Sequence, residues 1–255
     1  MKLVIKVGTS TLAHKGGRLN IRRIELLCKV LSDLKNAGHE IILVSSGAIG
    51  MGVGKLNLTE RPSDTAGKQA AAAVGQCELM YTYDKLFSEY SHTVAQILLT
   101  AEDLSNETRH TNFENTMKKL LEMKVLPIIN ENDTVSTTEI CIGDNDTLAA
   151  LVAVSVKADL LVLLSDIDGL YTADPRKDKS ATLIKKVDRV DEHILSLGGE
   201  KGSELGTGGM ATKLSAAKIT TENGCDMIIT NGERPEELYD IADGKLIGTR
   251  FFAEK

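Results

Sequence analysis

Short apolar runs of Val, Ile and Leu alternate with longer segments of helical periodicity along nearly the whole chain, and this alternation decides most of what the sequence can fold into. The runs Leu3–Val7, Glu40–Ser45, Thr93–Leu99, Val125–Asn130, Leu160–Ser165 and Asp226–Thr230 are mostly apolar at consecutive positions, as strands covered on both faces must be. Between the first two, Ile21, Ile24, Leu27, Leu31 and Leu34 recur at helical spacing, with Asn20 suited to cap the start and Gly38 the end. The same reasoning predicts helices over Thr65–Glu89, Arg109–Lys124, Asp146–Lys157, Thr212–Asn223 and Pro235–Ala242. The expected architecture is α/β with a largely parallel central sheet.

At 255 residues the chain can bury a core that needs no disulfide or structural metal. Its four cysteines, Cys28, Cys77, Cys141 and Cys225, stand singly, without the spacing of a zinc site, which fits a reducing compartment. Thirty Lys and Arg stand against 36 Asp and Glu, a net charge of −6. That balance argues against nucleic-acid or anionic-membrane partners, so any anion site must be local. The first residues do not read as a signal peptide, and the longest apolar run, Leu148–Val154, is far too short to span a bilayer. A cytoplasmic location is expected. No repeat or Pro/Ser-rich linker divides the chain, so a single domain over 1–255 is expected, with an internal boundary near residue 165.

Common catalytic signatures are missing from the sequence: no GxxxxGK[ST] loop, GxGxxG turn, HExxH helix or GxSxG elbow occurs. Three glycine-containing turns remain. Lys6-Val7-Gly8-Thr9-Ser10 ends a strand, Ser45-Ser46-Gly47-Ala48-Ile49-Gly50 joins a strand to a helix, and Gly206-Thr207-Gly208-Gly209-Met210-Ala211-Thr212-Lys213 leads into another helix. Each can be an ordinary turn. Each also leaves backbone N–H groups open to an anion, with a lysine beside two of them. Asn130-Glu131-Asn132-Asp133 after one strand and Gly143-Asp144-Asn145-Asp146 before a helix suit turns and caps, or the binding of a ligand. Three anion-friendly turns in an acidic protein suggest one nucleotide and a second anionic substrate. The segment Asp166–Lys186 is the most loop-like of the chain; its EF-hand-like beginning lacks the later oxygen ligands.

Taken in order, these turns, together with Gly169-Leu170-Tyr171-Thr172-Ala173-Asp174-Pro175-Arg176, resemble the amino-acid kinase family. The match runs from residue 2 to about 250. It implies a three-layer αβα sandwich, with the amino-acid substrate held by roughly 1–164 and the nucleotide by 165–255. The resemblance is strongest to members that transfer the γ-phosphoryl group of ATP to the side-chain carboxylate of L-glutamate, the first step of proline biosynthesis, with Mg2+ carried on the nucleotide. It assigns Lys6 and Lys213 to charge neutralisation at the transferring group and Asp146 to holding them. Ser46, Asp133 and Asn145 would bind glutamate with Asn130 and Asp144 nearby, while Ser165, Asp166 and Thr207, Gly208, Gly209, Met210, Ala211, Thr212 and Lys213 would line the nucleotide site. No residue is assigned as a protein-bound metal ligand. A homo-oligomer and feedback inhibition by proline are implied as well. Many such members continue into a further C-terminal domain, whereas this sequence stops soon after Gly248-Thr249-Arg250-Phe251-Phe252. A carboxylate acceptor is already nucleophilic at neutral pH, so the chemistry calls for alignment and charge neutralisation rather than a general base. Other acceptors for the same fold are N-acetylglutamate and aspartate, and a silent amino-acid sensor would have no use for both lysines.

Overall fold

A computed structural model describes residues 1–14, 18–135, 145–199 and 209–254. In chain order the elements are β1 (Lys2–Val7), α1 (Thr9–Leu12), α2 (Ile21–Asn36), β2 (Glu40–Ser45), α3 (Ala48–Lys55), α4 (Thr65–Ser88), β3 (Val94–Leu99), α5 (Ala101–Ser105) and α6 (Glu107–Glu122). They continue with β4 (Leu126–Glu131), α7 (Asn145–Ser155), β5 (Leu160–Ser165), β6 (Lys186–Val187), α8 (Glu192–Ser196), α9 (Met210–Glu222), β7 (Asp226–Asn231), α10 (Glu237–Ala242) and β8 (Thr249–Phe251).

Among the described residues the strands form one eight-stranded sheet in the order β3-β4-β2-β1-β5-β7-β8-β6, and only the β7–β8 strand pairing is antiparallel. Strand pleating sends alternate side chains to opposite faces. Val4, Ile42, Val44, Ile129, Leu161, Leu163 and Ile229 pack with residues of α6, α7 and α9 in one core. Leu3, Ile5, Val7, Leu43, Ile128, Val162 and Ile228 pack with α2, α4 and α10 in the other. These are the three layers of an αβα sandwich, as expected.

All six anticipated strands are present to within a residue at either end. The anticipated helices begin and end slightly elsewhere: Asn145 and Asp146 belong to the first turn of α7, Met210 opens α9, and α10 starts at Glu237 after Pro235. Asn20 caps α2 through its side chain, which accepts from Arg23 N, and Gly38 follows at φ +96°. The short β6 and β8 were not anticipated. Among the described residues no helix is long and apolar enough to cross a membrane.

Candidate active site

Parallel strands deliver their C-terminal ends to one edge of the sheet, and a crevice opens where the strand order changes direction. Here β1 is flanked by β2, leading to the rest of the first half, and by β5, leading to the second. The crevice therefore lies over the end of β1. Within β1, Leu3, Ile5 and Val7 face the α2/α4 layer, so pleating turns Lys6, like Val4, toward α7 and α9.

Lys6 meets Asp146 there, in the first turn of α7. Its Nζ lies 2.6 Å from Asp146 Oδ1. From the first turn of α9, Lys213 Nζ donates to Asp146 Oδ2 at 2.8 Å, and Thr212 Oγ1 lies 3.2 Å from the same oxygen. All three charged groups are buried, Asp146 completely. A buried carboxylate between two ammonium groups offsets their desolvation and mutual repulsion. The triad still carries one surplus positive charge, held at the crevice by elements that lie 207 positions apart in sequence, from Lys6 to Lys213.

The residue before Asp146 faces a different set of groups. Asn145 Nδ2 lies 2.7 Å from the Ser45 carbonyl, 2.8 Å from Ser46 Oγ and 2.9 Å from Asn130 Oδ1. One side-chain amide thus joins the ends of β2, β4 and α7. Asn130 is itself buried at the end of β4, and its Nδ2 donates to Gln76 Oε1 of α4 at 2.9 Å. Asp133 follows in the turn after β4, half-buried. Burial, and then the Glu131 carboxylate beside it, push its pKa up to about 6, while the Arg61 guanidinium opposes them.

On the far side of the lysines a cleft of about 300 Å³ is lined by Ser165, Asp166, Gly209, Met210 and Lys213, all anticipated, and also by Asp168, Tyr171, Arg176 and Asn231. The first turn of α9 holds no acidic residue, which leaves its N-terminal dipole free to favour an anion. Ala211 is exposed on that turn. Thr212 turns toward Asp146 and the Gly209 carbonyl. One cleft wall is tied at Asp168, whose Oδ1 accepts from Asn231 Nδ2 at 2.8 Å and from an Arg234 NH2 at 3.2 Å.

The structure thus brings Lys6, Lys213 and Asp146 together, gathers Ser46, Asn130 and Asn145, and places Ser165, Asp166, Gly209 and Met210 around the cleft. Asp144, Thr207 and Gly208 lie outside the described residues. Not anticipated as contributors were Gln76, Asp168, Tyr171, Arg176 and Asn231. Gln76 had a visible signal, a polar residue on the buried, small-residue face of a helix. Asn231 also had one, a polar residue at the C-terminal end of a buried strand.

A sequence profile described as the amino acid kinase family matches residues 1–231. The chain belongs to that family. Among amino acid kinases, a protein from Clostridium perfringens (strain 13 / Type A) named glutamate 5-kinase is 53% identical over 258 residues, which covers 100% of this chain and 96% of the relative. A glutamate 5-kinase from Caldanaerobacter subterraneus subsp. tengcongensis is 51% identical over 255 residues, 100% of this chain but 68% of its own length. The structure of a carbamate kinase from Giardia lamblia bound to AMP-PNP superposes with a TM-score of 0.69 at 17% identity, over 99% of this chain and 98% of that one. That likeness establishes the shared fold.

Proposed function

We infer that this amino acid kinase transfers the γ-phosphoryl group of ATP to the side-chain carboxylate of L-glutamate, giving L-glutamyl 5-phosphate at the first step of proline biosynthesis. The observation that carries the reading is the start of α7. Two adjacent residues there face in two directions, Asp146 toward the paired lysines and Asn145 toward Ser46 and Asn130. An acceptor held on the Asn145 side would present its carboxylate to a phosphoryl group held on the lysine side.

In this reading Lys6 and Lys213 neutralise charge on the transferring group, where fixed charge in a water-poor site is most effective. Asp146 keeps the two ammonium groups together and does not touch the acceptor. Ser46, Asn130, Asn145 and Asp133 bind glutamate, with Asp133 matching the α-ammonium. The cleft along Ser165, Asp166 and the first turn of α9 takes ATP, dividing the chain near residue 165 into a substrate part and a nucleotide part. Mg2+ would arrive on the phosphates, a site that suits it because the ion is held chiefly by phosphate oxygens and water. Among the described residues no group of three or more His, Cys, Asp or Glu could cage a metal ion. When bound, it would add positive charge on the phosphate oxygens. A cytoplasmic location, a homo-oligomer and inhibition by proline complete the proposal.

Coupled measurement of ADP release is the test. Release that requires L-glutamate, and is far slower with N-acetylglutamate or aspartate, is the expected result. Equal turnover of N-acetylglutamate would overturn the substrate assignment and the role given to Asp133.

A further inference from the structure

The end of β2 is held from below as well as from above. Tyr83, in the C-terminal third of α4, is fully buried in the apolar layer on the opposite face of the sheet from the lysines. A phenol in such a layer needs a partner for its hydroxyl. Its partner is Ser45 Oγ, 2.9 Å away. Ser45 Oγ is also positioned to donate to the Ser46 carbonyl at 3.2 Å. Either hydroxyl can donate in the first bond; with Tyr83 as donor, the single Ser45 proton is left for the Ser46 carbonyl and both bonds form together, from phenol to Ser45 to Ser46. Burial, and then Cys28 nearby, push the phenol's pKa well above its usual value, so it remains a donor throughout any working pH.

The recipient is the turn that builds the amino-acid pocket. Ser46 Oγ and the Ser45 carbonyl both face Asn145 Nδ2, and Gly47 follows at φ +100°, a left-handed conformation that only glycine adopts at no steric cost. On the same face of α4, two turns back, Gln76 accepts from Asn130. The bonds therefore close a circuit that leaves α4 at Tyr83, passes through Ser45, Asn145 and Asn130, and returns to α4 at Gln76.

We propose that Tyr83 is a positioning residue for the amino-acid substrate, its hydroxyl fixing the Ser45–Ser46 turn so that Ser46 and Asn145 meet the substrate in one geometry. The inference rests on the reading that these two residues bind glutamate. Removing one such bond should weaken substrate binding by about 2- to 12-fold.

The test uses the full chain with Tyr83→Phe, Ser45→Ala and the double variant. Each single change is expected to raise the KM for glutamate by that factor, with ATP KM unchanged and kcat within about twofold of wild type. The double variant should be no worse than the worse single, because both remove the same link. A lower melting temperature for Tyr83→Phe with unchanged glutamate KM would overturn the proposal, as would equal rises in both KM values. A second measurement needs no substrate: hydrogen exchange at the Ser46 amide, bonded to the Val7 carbonyl at 3.2 Å. It should accelerate in Tyr83→Phe while amides of β7 keep their wild-type rates, and unchanged exchange at Ser46 would overturn the positioning role. Faster exchange in a protein whose wild type shows no glutamate-dependent turnover would support the hold on the turn and overturn the substrate reading instead.

Discussion

At the scale of single residues, the buried triad concentrates both function and risk. Lys6→Ala or Lys213→Ala is expected to lower kcat by about 10²–10³-fold with little change in glutamate KM, because these charges matter most while the phosphoryl group is in transit. Steady-state kinetics check this, and a variant with near wild-type kcat would exclude the role. Asp146→Asn should destabilise the fold by about 3–5 kcal/mol in denaturant titrations, since it leaves two buried ammonium groups without their carboxylate. Asp133 makes an opposite trade. Its folded pKa near 6 stands above the ordinary 3.8, so the fold favours the protonated acid. That preference is complete below the unfolded value and is lost as pH rises through about 6. Asp133→Asn is therefore expected to be more stable than wild type at pH 7–8, a difference that shrinks at pH 4. Its glutamate KM should be higher, and should no longer fall between pH 5 and 7 as the wild-type value does. The triad was legible because lysines and acids at these spacings match a family pattern. The bonds from α4, Gln76 to Asn130 and Tyr83 to Ser45, were not, since a polar residue on a buried helix face does not reveal which strand end it meets.

At the scale of elements, α3 and α4 cross with almost no side chain between them. A Cβ built on Gly75 would lie 1.8 Å from the Ala48 carbonyl oxygen, and one on Gly52 would lie 1.8 Å from that of Ala71. Backbone meets backbone, and α3 begins directly after Ser46 and Gly47. Gly75→Ala is expected to push the helices apart, costing about 1–3 kcal/mol by denaturant midpoint and raising glutamate KM by displacing the turn before α3. A neutral substitution there would refute the close crossing. The long apolar strands and α2, α4, α6, α7 and α9 could all be read from periodicity. The elements that escaped notice were β6 and β8, of two and three residues, the four-residue α1, and α5 and α8, of five residues each. Segments so short carry no period, and neighbouring strands or packing fix them instead.

At the scale of the whole molecule, Cys28 and Cys225 are buried free thiols and Cys77 is an exposed one. Burial, and then Asp226, push Cys225 up to about 12. A thiol reagent is expected to modify Cys77 in the native protein and to reach Cys28 and Cys225 only on unfolding, as peptide mapping would show; rapid native labelling of Cys28 would contradict the packing. Cys141 lies outside the described residues. The three-layer plan was legible from alternating elements, while the strand order was not, because pairing between distant strands depends on the assembled layers. That order has a consequence during synthesis. β1 leaves the ribosome first, yet its second neighbour, β5, begins about 160 residues later. At typical translation speeds this leaves an apolar strand with at least one open edge for roughly 8–30 s. A nascent chain stalled before β5 should therefore be insoluble or chaperone-bound, and demand for chaperone protection should peak midway through translation.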